Sequence, residues 1–301
     1  MELPGFPVYL QLSEKEFKNR IEKLYRILNA CTLCGHKCEV NRHYNRGICN
    51  SGMNLKISSV FPHFGEERPL VGTHGSGTIF LSNCNCKCVF CQNFGISHLG
   101  EGDMISEEEI ASKMIYLQDI GCHNINWVSP THFAPQLVKA LFIAREKGLR
   151  TPVVYNTGGY DSPGLIKILA GIIDIYMPDI KYGNNKNAFK YSGVKNYWDI
   201  VRVSVKEMYS QVGDLIVDDF GIAKRGLIIR HLVLPNDIAG SSEVLKFIAD
   251  EISKDSYVNI MKQYTPYFKA SNYKELMLGI TMQEYLRVLN RAKELGLTRA
   301  N

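Results

Sequence analysis

The sequence predicts an α/β fold: six parallel strands alternating with helices, curled into a partial (β/α)6 barrel and preceded by a cysteine-rich N-terminal extension. Three observations predict it. From Gly77 onward short apolar runs alternate with stretches of helical period, the pattern of strand-helix-strand units around a parallel sheet. There are six such runs, too few for the closed eight-stranded barrel, so right-handed crossovers should leave the sheet curled and open. Eight of the nine cysteines fall before residue 92, which sets the first part of the chain apart from the rest.

Residues 13 to 30 read as a helix with Phe17, Ile21, Leu24 and Ile27 at helical spacing, and a cysteine-rich loop region is expected over 31 to 76. The strands follow at 77–83, 124–129, 152–157, 172–178, 226–234 and 258–264. Helical patterns near 106–120, 135–147, 162–170, 197–213 and 241–253 supply the crossovers between them. A last helix over 281–295 presents Met282, Tyr285, Leu286 and Leu289 at helical spacing, is stopped by Gly296, and is expected to pack on the core. The expected units are thus an N-terminal helix and cysteine-rich extension (1–76), the barrel (77–268) and a C-terminal helical segment (269–301). No internal repeat or low-complexity tract interrupts them.

A chain of 301 residues with 45% hydrophobic content has ample material for a buried core. Its 35 basic and 30 acidic residues leave a net charge of +5 with no dense Lys/Arg run, so a nucleic-acid partner is not expected. The opening MELPGFPVYLQLSEKEF has no basic segment followed by an apolar stretch, and no apolar run reaches the roughly 18 residues of a membrane span. A cytoplasmic location with no membrane partner is the expectation. An odd number of clustered cysteines in so long a chain argues for thiolates that bind metal rather than for a disulfide framework.

The segment SNCNCKCVFCQN places Cys84, Cys88 and Cys91 at C-x3-C-x2-C, directly after the first barrel strand and at the end where barrel chemistry resides. Three thiolates on one tight loop can hold three irons of a [4Fe-4S] cube and leave the fourth iron open to a small molecule. Zinc is the alternative, with Cys86 as a fourth ligand, although four sulfurs so close in sequence leave tetrahedral geometry little slack. Cys86 is expected to turn away from the cluster. Phe90 sits beside the last ligand, either stacking on an adenine or shielding the cluster from water.

This loop resembles the signature of the radical S-adenosylmethionine superfamily, in which an aromatic residue precedes the last of three cysteines at this spacing. The resemblance spans about residues 77–268 and implies a radical-SAM barrel. It also implies a cofactor, S-adenosyl-L-methionine, chelated by the open iron and cleaved by the reduced cluster to a 5′-deoxyadenosyl radical, with a reductant such as flavodoxin or ferredoxin as partner. The protein then supplies binding, orientation and exclusion of competing reactions. Within the superfamily the sequence is similar to the pyruvate formate-lyase activating enzyme and its relatives.

That similarity extends to later strands. Asp179-Ile180-Lys181 resembles an Asp-Leu-Lys whose acid and lysine lie near the cofactor; a carboxylate there accepts from the methionine ammonium or the ribose, and an ammonium pairs with the carboxylate. Arg230, in LIIRHLVLP, resembles an arginine of the fifth strand and is expected to meet a carboxylate inside the barrel, the cofactor's being one candidate. His231 should face the helices instead. Ser129-Pro130-Thr131-His132 stands where much of the superfamily has Gly-Gly-Glu, a departure that leaves Ser129 and Thr131 as oxygen donors to the methionine amine but supplies no carboxylate. Asn156, opening Asn-Thr-Gly-Gly-Tyr, lies in a region similar to a Thr-Asn-Gly turn that approaches the ligand. Tyr267 falls near the place of a histidine and, with Tyr264, is a candidate to stack on adenine.

Cys31, Cys34, Cys38 and Cys49 follow C-x2-C-x3-C-x10-C, with Gly35 and Gly47 supplying turns. Four cysteines suffice to enclose a second metal, either tetrahedral zinc or an iron-sulfur cluster, with His36 and His43 as alternative ligands. In activating enzymes with extra clusters the added cysteines follow the three-cysteine loop; here they precede it. Cys122 stands alone and reads as a small buried hydrophobe. The expected function is hydrogen abstraction from a substrate, by analogy a glycyl residue of a partner protein, with modification of a peptide, a tRNA base or a metabolite as the alternative. A non-catalytic zinc-binding interaction protein is the alternative of another class.

Overall fold

The computed structural model of the protein describes residues 6–301. Its strands are β1 (Lys56–His63), β2 (Ser76–Leu81), β3 (Asp103–Met104), β4 (Ile125–Val128), β5 (Val153–Thr157), β6 (Ile175–Pro178), β7 (Ile216–Val217), β8 (Ala223–Leu232) and β9 (Tyr257–Met261). The helices before and between the first parallel strands are α1 (Glu14–Ile27), α2 (Arg68–Val71), α3 (Phe94–Ser97), α4 (Glu107–Asp119), α5 (Ala134–Glu146) and α6 (Pro163–Leu169). Then come α7 (Asn185–Ser192), α8 (Tyr197–Val212), α9 (Ser241–Phe247) and α10 (Met282–Glu294).

The six expected strands, β2, β4, β5, β6, β8 and β9, run parallel and pair in that order. Helices fill every crossover, as parallel neighbours require. Several are started by side chains that satisfy the free N–H groups of a first turn. The Ser13, Ser106 and Thr281 oxygens accept from the backbone N–H three residues on, while Glu16, Glu109 and Glu284 reach back to the cap residue. The main core lies between the sheet and its helices. A separate apolar floor of Leu70, Val154, Ile175, Met177, Leu215, Ala223 and Ile228 fills the inside of the barrel.

Four expectations are corrected. The stretch 31–76 is not loop throughout: β1 pairs antiparallel with β2, from Ile57 against Leu81 to His63 against Ser76, and widens the sheet beyond its parallel part. Its sequence KISSVFPH lacks a sustained apolar run because one side of this outer strand is only half buried. The helix expected over 241–253 ends at Phe247 and continues as a π-helical turn, Ile248–Ile252. In α10 the buried positions are Val288 and Ala292, whereas Met282 and Leu286 are exposed. The helix settles on α9 through its smaller side chains, which allow closer approach. Finally, α7 has too few apolar residues to be noticed in the sequence, yet it anchors the cysteine loop described next.

The open side of the barrel is crossed by the link between β1 and β2. There Glu67 Oε1 accepts from Asn259 Nδ2 of β9 at 2.9 Å, joining the first part of the sheet to its last parallel strand.

Candidate active site at the barrel mouth

Strand β2 ends at Leu81, and Asn83, with φ of +70°, turns the chain into the loop carrying Cys84, Cys88 and Cys91. The last carbonyls of a helix have no partner within it, and here those of α7 hold the loop: Lys87 N–H donates to Ser192 O at 2.9 Å and Val89 N–H to Tyr191 O at 2.8 Å. Hydrogen-bonding groups surround the sulfurs. The Ser192 hydroxyl donates to Cys88 Sγ at 2.9 Å, the Ser97 hydroxyl lies 3.1 Å from Cys91 Sγ, and Cys86 N–H donates to Cys84 Sγ at 3.4 Å. Burial pushes the Cys88 thiol up to about 12, while the Cys86 thiol, hydrogen-bonded to Cys84, holds the latter down at about 6 against its burial. Cys86 therefore does not turn away as expected. It lies against Cys84, because the loop is too tight to turn alternate side chains fully apart.

Among the described residues no three His, Cys, Asp or Glu side chains are drawn close enough to clasp a single metal ion. Three thiols on one loop, hydroxyl and amide hydrogens aimed at their sulfurs, and a nearby ammonium suit an iron-sulfur cluster, whose properties respond to just such hydrogen bonds and charges. The ammonium is that of Lys181, whose charge acts on each of the loop thiols. Gly158 lies against the loop: a methyl group at this position would stand 3.3 Å from Cys86 Sγ, a tight contact, and 3.6 Å from Lys181 Cε, an ordinary one.

From Lys181 a chain of charges runs across the barrel mouth. Lys181 Nζ donates to Asp179 Oδ2 at 2.5 Å, and Arg230 Nε donates to Asp179 Oδ1 at 2.7 Å. The same guanidinium reaches Asn156 Oδ1 at 2.7 Å, Glu66 Oε2 at 3.4 Å and Glu67 Oε1 at 3.8 Å. Burial alone would raise the Asp179 carboxyl; Arg230 and Lys181 outweigh it and hold the group below the usual carboxylate range. Glu66 is pushed up to about 7, chiefly by burial and against the pull of Arg230. Tyr197 of α8 fixes the Asp-Ile-Lys turn, since its hydroxyl bridges Asp179 O and Lys181 N–H, each at 2.9 Å. Arg230 thus meets carboxylates inside the barrel, as expected, but three of the protein's own.

The other expected cofactor positions divide. Asn156 joins the network, and Ser129, with φ of +59°, donates its N–H to Asn156 O at 2.8 Å beside it. Thr131 does not join: its hydroxyl donates to buried Asp161 at 2.7 Å, a carboxylate that also accepts from Tyr155 and Thr157. A buried hydroxyl needs a partner, and the one at hand lies behind the strand ends. Phe90 is buried against Tyr264, ring centroids 5.8 Å apart. Tyr267 is 47% exposed and stands outside the network. His231 faces the helices, between Ile180 O and Ser241 Oγ, and Cys122 is buried.

The four N-terminal cysteines share one neighbourhood, though no three of them are close enough to clasp a single metal ion. Cys34 feels the charges of Cys31, Cys38 and Cys49, although burial is what chiefly raises its thiol, to about 12. A methyl group on Gly47 would lie 3.4 Å from both Cys38 Sγ and Cys49 Sγ, and Arg42 Nη1 donates to Cys31 Sγ at 3.6 Å. His36 points elsewhere, its Nε2 2.8 Å from Asn85 O in the other cysteine loop. Gly35 N–H and Asn85 Nδ2 both donate to Tyr160 O, so one residue ties the two cysteine loops together. The residues that sequence reasoning missed are Glu66, Glu67, Ser192 and Tyr197; an adjacent acid pair is the one signal among them, and it has no distinctive spacing.

The family model for the radical SAM superfamily matches residues 78–217. The uncharacterized protein MJ0674 of Methanocaldococcus jannaschii is 33% identical over 288 residues, covering 92% of this chain and 78% of that one. Among solved structures, Streptococcus suis SuiB bound to its precursor peptide SuiA is 14% identical, with a TM-score of 0.48 over 70% of this chain. The match takes in 43% of SuiB, less than half its length. Methylornithine synthase (PylB) is 16% identical, with a TM-score of 0.45 over 96% of this chain and 77% of its own.

Proposed function

The chain belongs to the radical SAM superfamily, and from that premise we propose that Cys84, Cys88 and Cys91 hold a [4Fe-4S] cluster whose fourth iron binds S-adenosyl-L-methionine. When bound and reduced, this pair supplies a 5′-deoxyadenosyl radical for hydrogen abstraction. The chain's own residues orient and neutralise. Lys181 offers an ammonium to the cofactor's carboxylate; Asp179, pinned by Arg230, accepts from its ammonium or ribose; Asn156 and Ser129 border the same mouth. The observation that carries the reading is the meeting of three loop thiols with the Lys181–Asp179–Arg230 chain at the carboxyl ends of the parallel strands.

Flavodoxin or ferredoxin would supply the electron. The substrate implied by likeness to the pyruvate formate-lyase activating enzyme is a glycyl residue of a partner protein, with a peptide, a metabolite or a tRNA base as the alternatives. A net charge of +5 sets the tRNA last, since phosphate binding draws on a strongly basic face. We further propose that Cys31, Cys34, Cys38 and Cys49 enclose a second metal, zinc or an iron-sulfur cluster, which holds the extension in shape or relays electrons. No helix among the described residues is long and apolar enough to cross a membrane.

Oxygen-free reconstitution tests the reading. The protein should take up iron and sulfide at the three-cysteine loop, and with dithionite and S-adenosylmethionine it should form 5′-deoxyadenosine. Cys88→Ala should abolish that product. A colourless protein holding zinc alone, or undiminished turnover in Cys88→Ala, would refute it.

A further inference from the structure

The stretch from Val40 to Gly65 carries Arg42, His43, Arg46, Lys56 and His63 and not one Asp or Glu. Folding brings the first four together in the wall of a cleft of about 320 Å³, which no Asp or Glu among the described residues lines. Acids close by in sequence turn elsewhere. Glu101 lies against Gly95, and Asp103 alternates with Met104, which lines the cleft, so its side chain leaves the other side of β3. Nor are the cations of the cleft answered by ion pairs. Arg42 donates to Cys31 Sγ, Gly52 O and His132 O, Arg46 to Asn50 Oδ1, and Lys56 to Gly100 O, none of them a carboxylate.

The cleft lies behind the barrel, on its helix side. Phe133, which lines it, belongs to the core between sheet and helices, while no residue of the barrel floor or of the Lys181–Asp179–Arg230 chain takes part. A substrate seated there would not meet the barrel mouth. Both groups of cysteines, however, back onto the cleft. Arg42 Nη1 reaches Cys31 Sγ at 3.6 Å, and Asn83, the residue before Cys84, donates from Nδ2 to Ser51 Oγ of the same wall at 3.1 Å. Apolar side chains complete the lining: Tyr44 is 84% exposed and Leu99 63%, and Met104 joins them. Unpaired positive charge among exposed apolar groups suits a face that meets an acidic protein, the charges steering the encounter and the apolar groups excluding water.

We propose that this cleft is the docking face for the protein that delivers the electron, an acidic carrier whose carboxylates meet Arg42, Arg46 and Lys56. The inference rests on the functional reading above, since that reading is what calls for a one-electron donor. The step moves one electron, the carrier being oxidised and the cluster at Cys84, Cys88 and Cys91 reduced, with no bond made or broken.

Titration calorimetry on oxygen-free reconstituted protein tests the docking, with an acidic flavodoxin and an acidic [2Fe-2S] ferredoxin as probes. Binding of at least one carrier is expected to weaken about tenfold in R46E and severalfold in Y44S, to fall as salt is raised, and to be unchanged in K293E, which reverses an exposed charge on α10. Stopped-flow bleaching of the cluster gives a second readout. The reduced carrier should act on R46E about tenfold more slowly than on wild type, whereas photoreduced deazariboflavin, a small reductant that needs no docking, should reduce both equally. Undiminished carrier binding in a folded R46E protein, an equal loss in K293E, or no binding of either carrier to wild type would overturn the docking face. Slower reduction of R46E by deazariboflavin as well would put the effect in the cluster and overturn it too. Polyuridylate bound as tightly, with the same dependence on Arg46, would give the cleft to nucleic acid instead. Carrier binding that depends on Arg46 in a protein that forms no 5′-deoxyadenosine would leave the docking face standing and count against the functional reading, since binding needs no turnover.

Discussion

Replacing Arg230 by methionine should destabilise the protein by about 3 kcal/mol, because removing one member of a buried ion pair leaves the other uncompensated at a cost of about 3–5 kcal/mol. The lower end applies because the Arg230 side chain retains 17% of its exposure and Asp179 retains 16%. At about 1.4 kcal/mol per factor of ten, the folded-to-unfolded ratio should fall more than a hundredfold. The loss also has a sign in pH. In the variant Asp179 and Glu66 lose Arg230, which pulls both carboxyls down against their burial, so their folded-state pKa values rise above those of the unfolded chain. The folded variant then holds more protons than the unfolded one through that window, and the difference from wild type should shrink as pH falls from about 8 to about 5. Arg230→Lys should fall between, since it keeps the charge but cannot reach Asp179, Asn156 and Glu66 at once. Urea unfolding of the reconstituted proteins, followed by circular dichroism at both pH values, measures all of this. A loss below about 1 kcal/mol, or a gap that does not change with pH, would refute the buried-network reasoning.

Gly35→Ala would place a methyl group 2.5 Å from Tyr160 Cζ and 2.7 Å from Ile200 Cδ1, so it should cost about 1–3 kcal/mol by overpacking; an unchanged unfolding midpoint would count against this packing. His132 is fully buried, and its folded pKa is held down to about 3 chiefly by burial. Its stabilising effect is complete above the unfolded value of about 6.5 and is lost as pH falls, at up to about 1.4 kcal/mol per pH unit, so His132→Gln should flatten the acid limb of the stability curve by that slope. Parallel acid limbs in the two proteins would contradict it. Cys34→Ala should lower total metal content while the three-cysteine loop keeps its iron, and elemental analysis showing the full wild-type content would exclude the N-terminal site.

The sequence alone made legible whatever is written within a few residues. Strand order follows from the alternation of apolar runs and helical periods, and the cysteine spacing marks the loop because ligands on one turn must be close in the chain. Asp179, Lys181 and Arg230 were also readable, through the resemblance of their strand ends to those of the activating enzyme. What they meet was not readable. Glu66 and Glu67 lie in a loop 164 residues from Arg230 along the chain in the case of Glu66, and nothing local distinguishes that acid pair from any other. Likewise Thr131 offers a hydroxyl at a strand end, yet only the packed molecule shows that Asp161 takes it. Tertiary structure decides such pairings because a buried charge or hydroxyl must find a partner in space, and closing the curled sheet determines which distant residue arrives there.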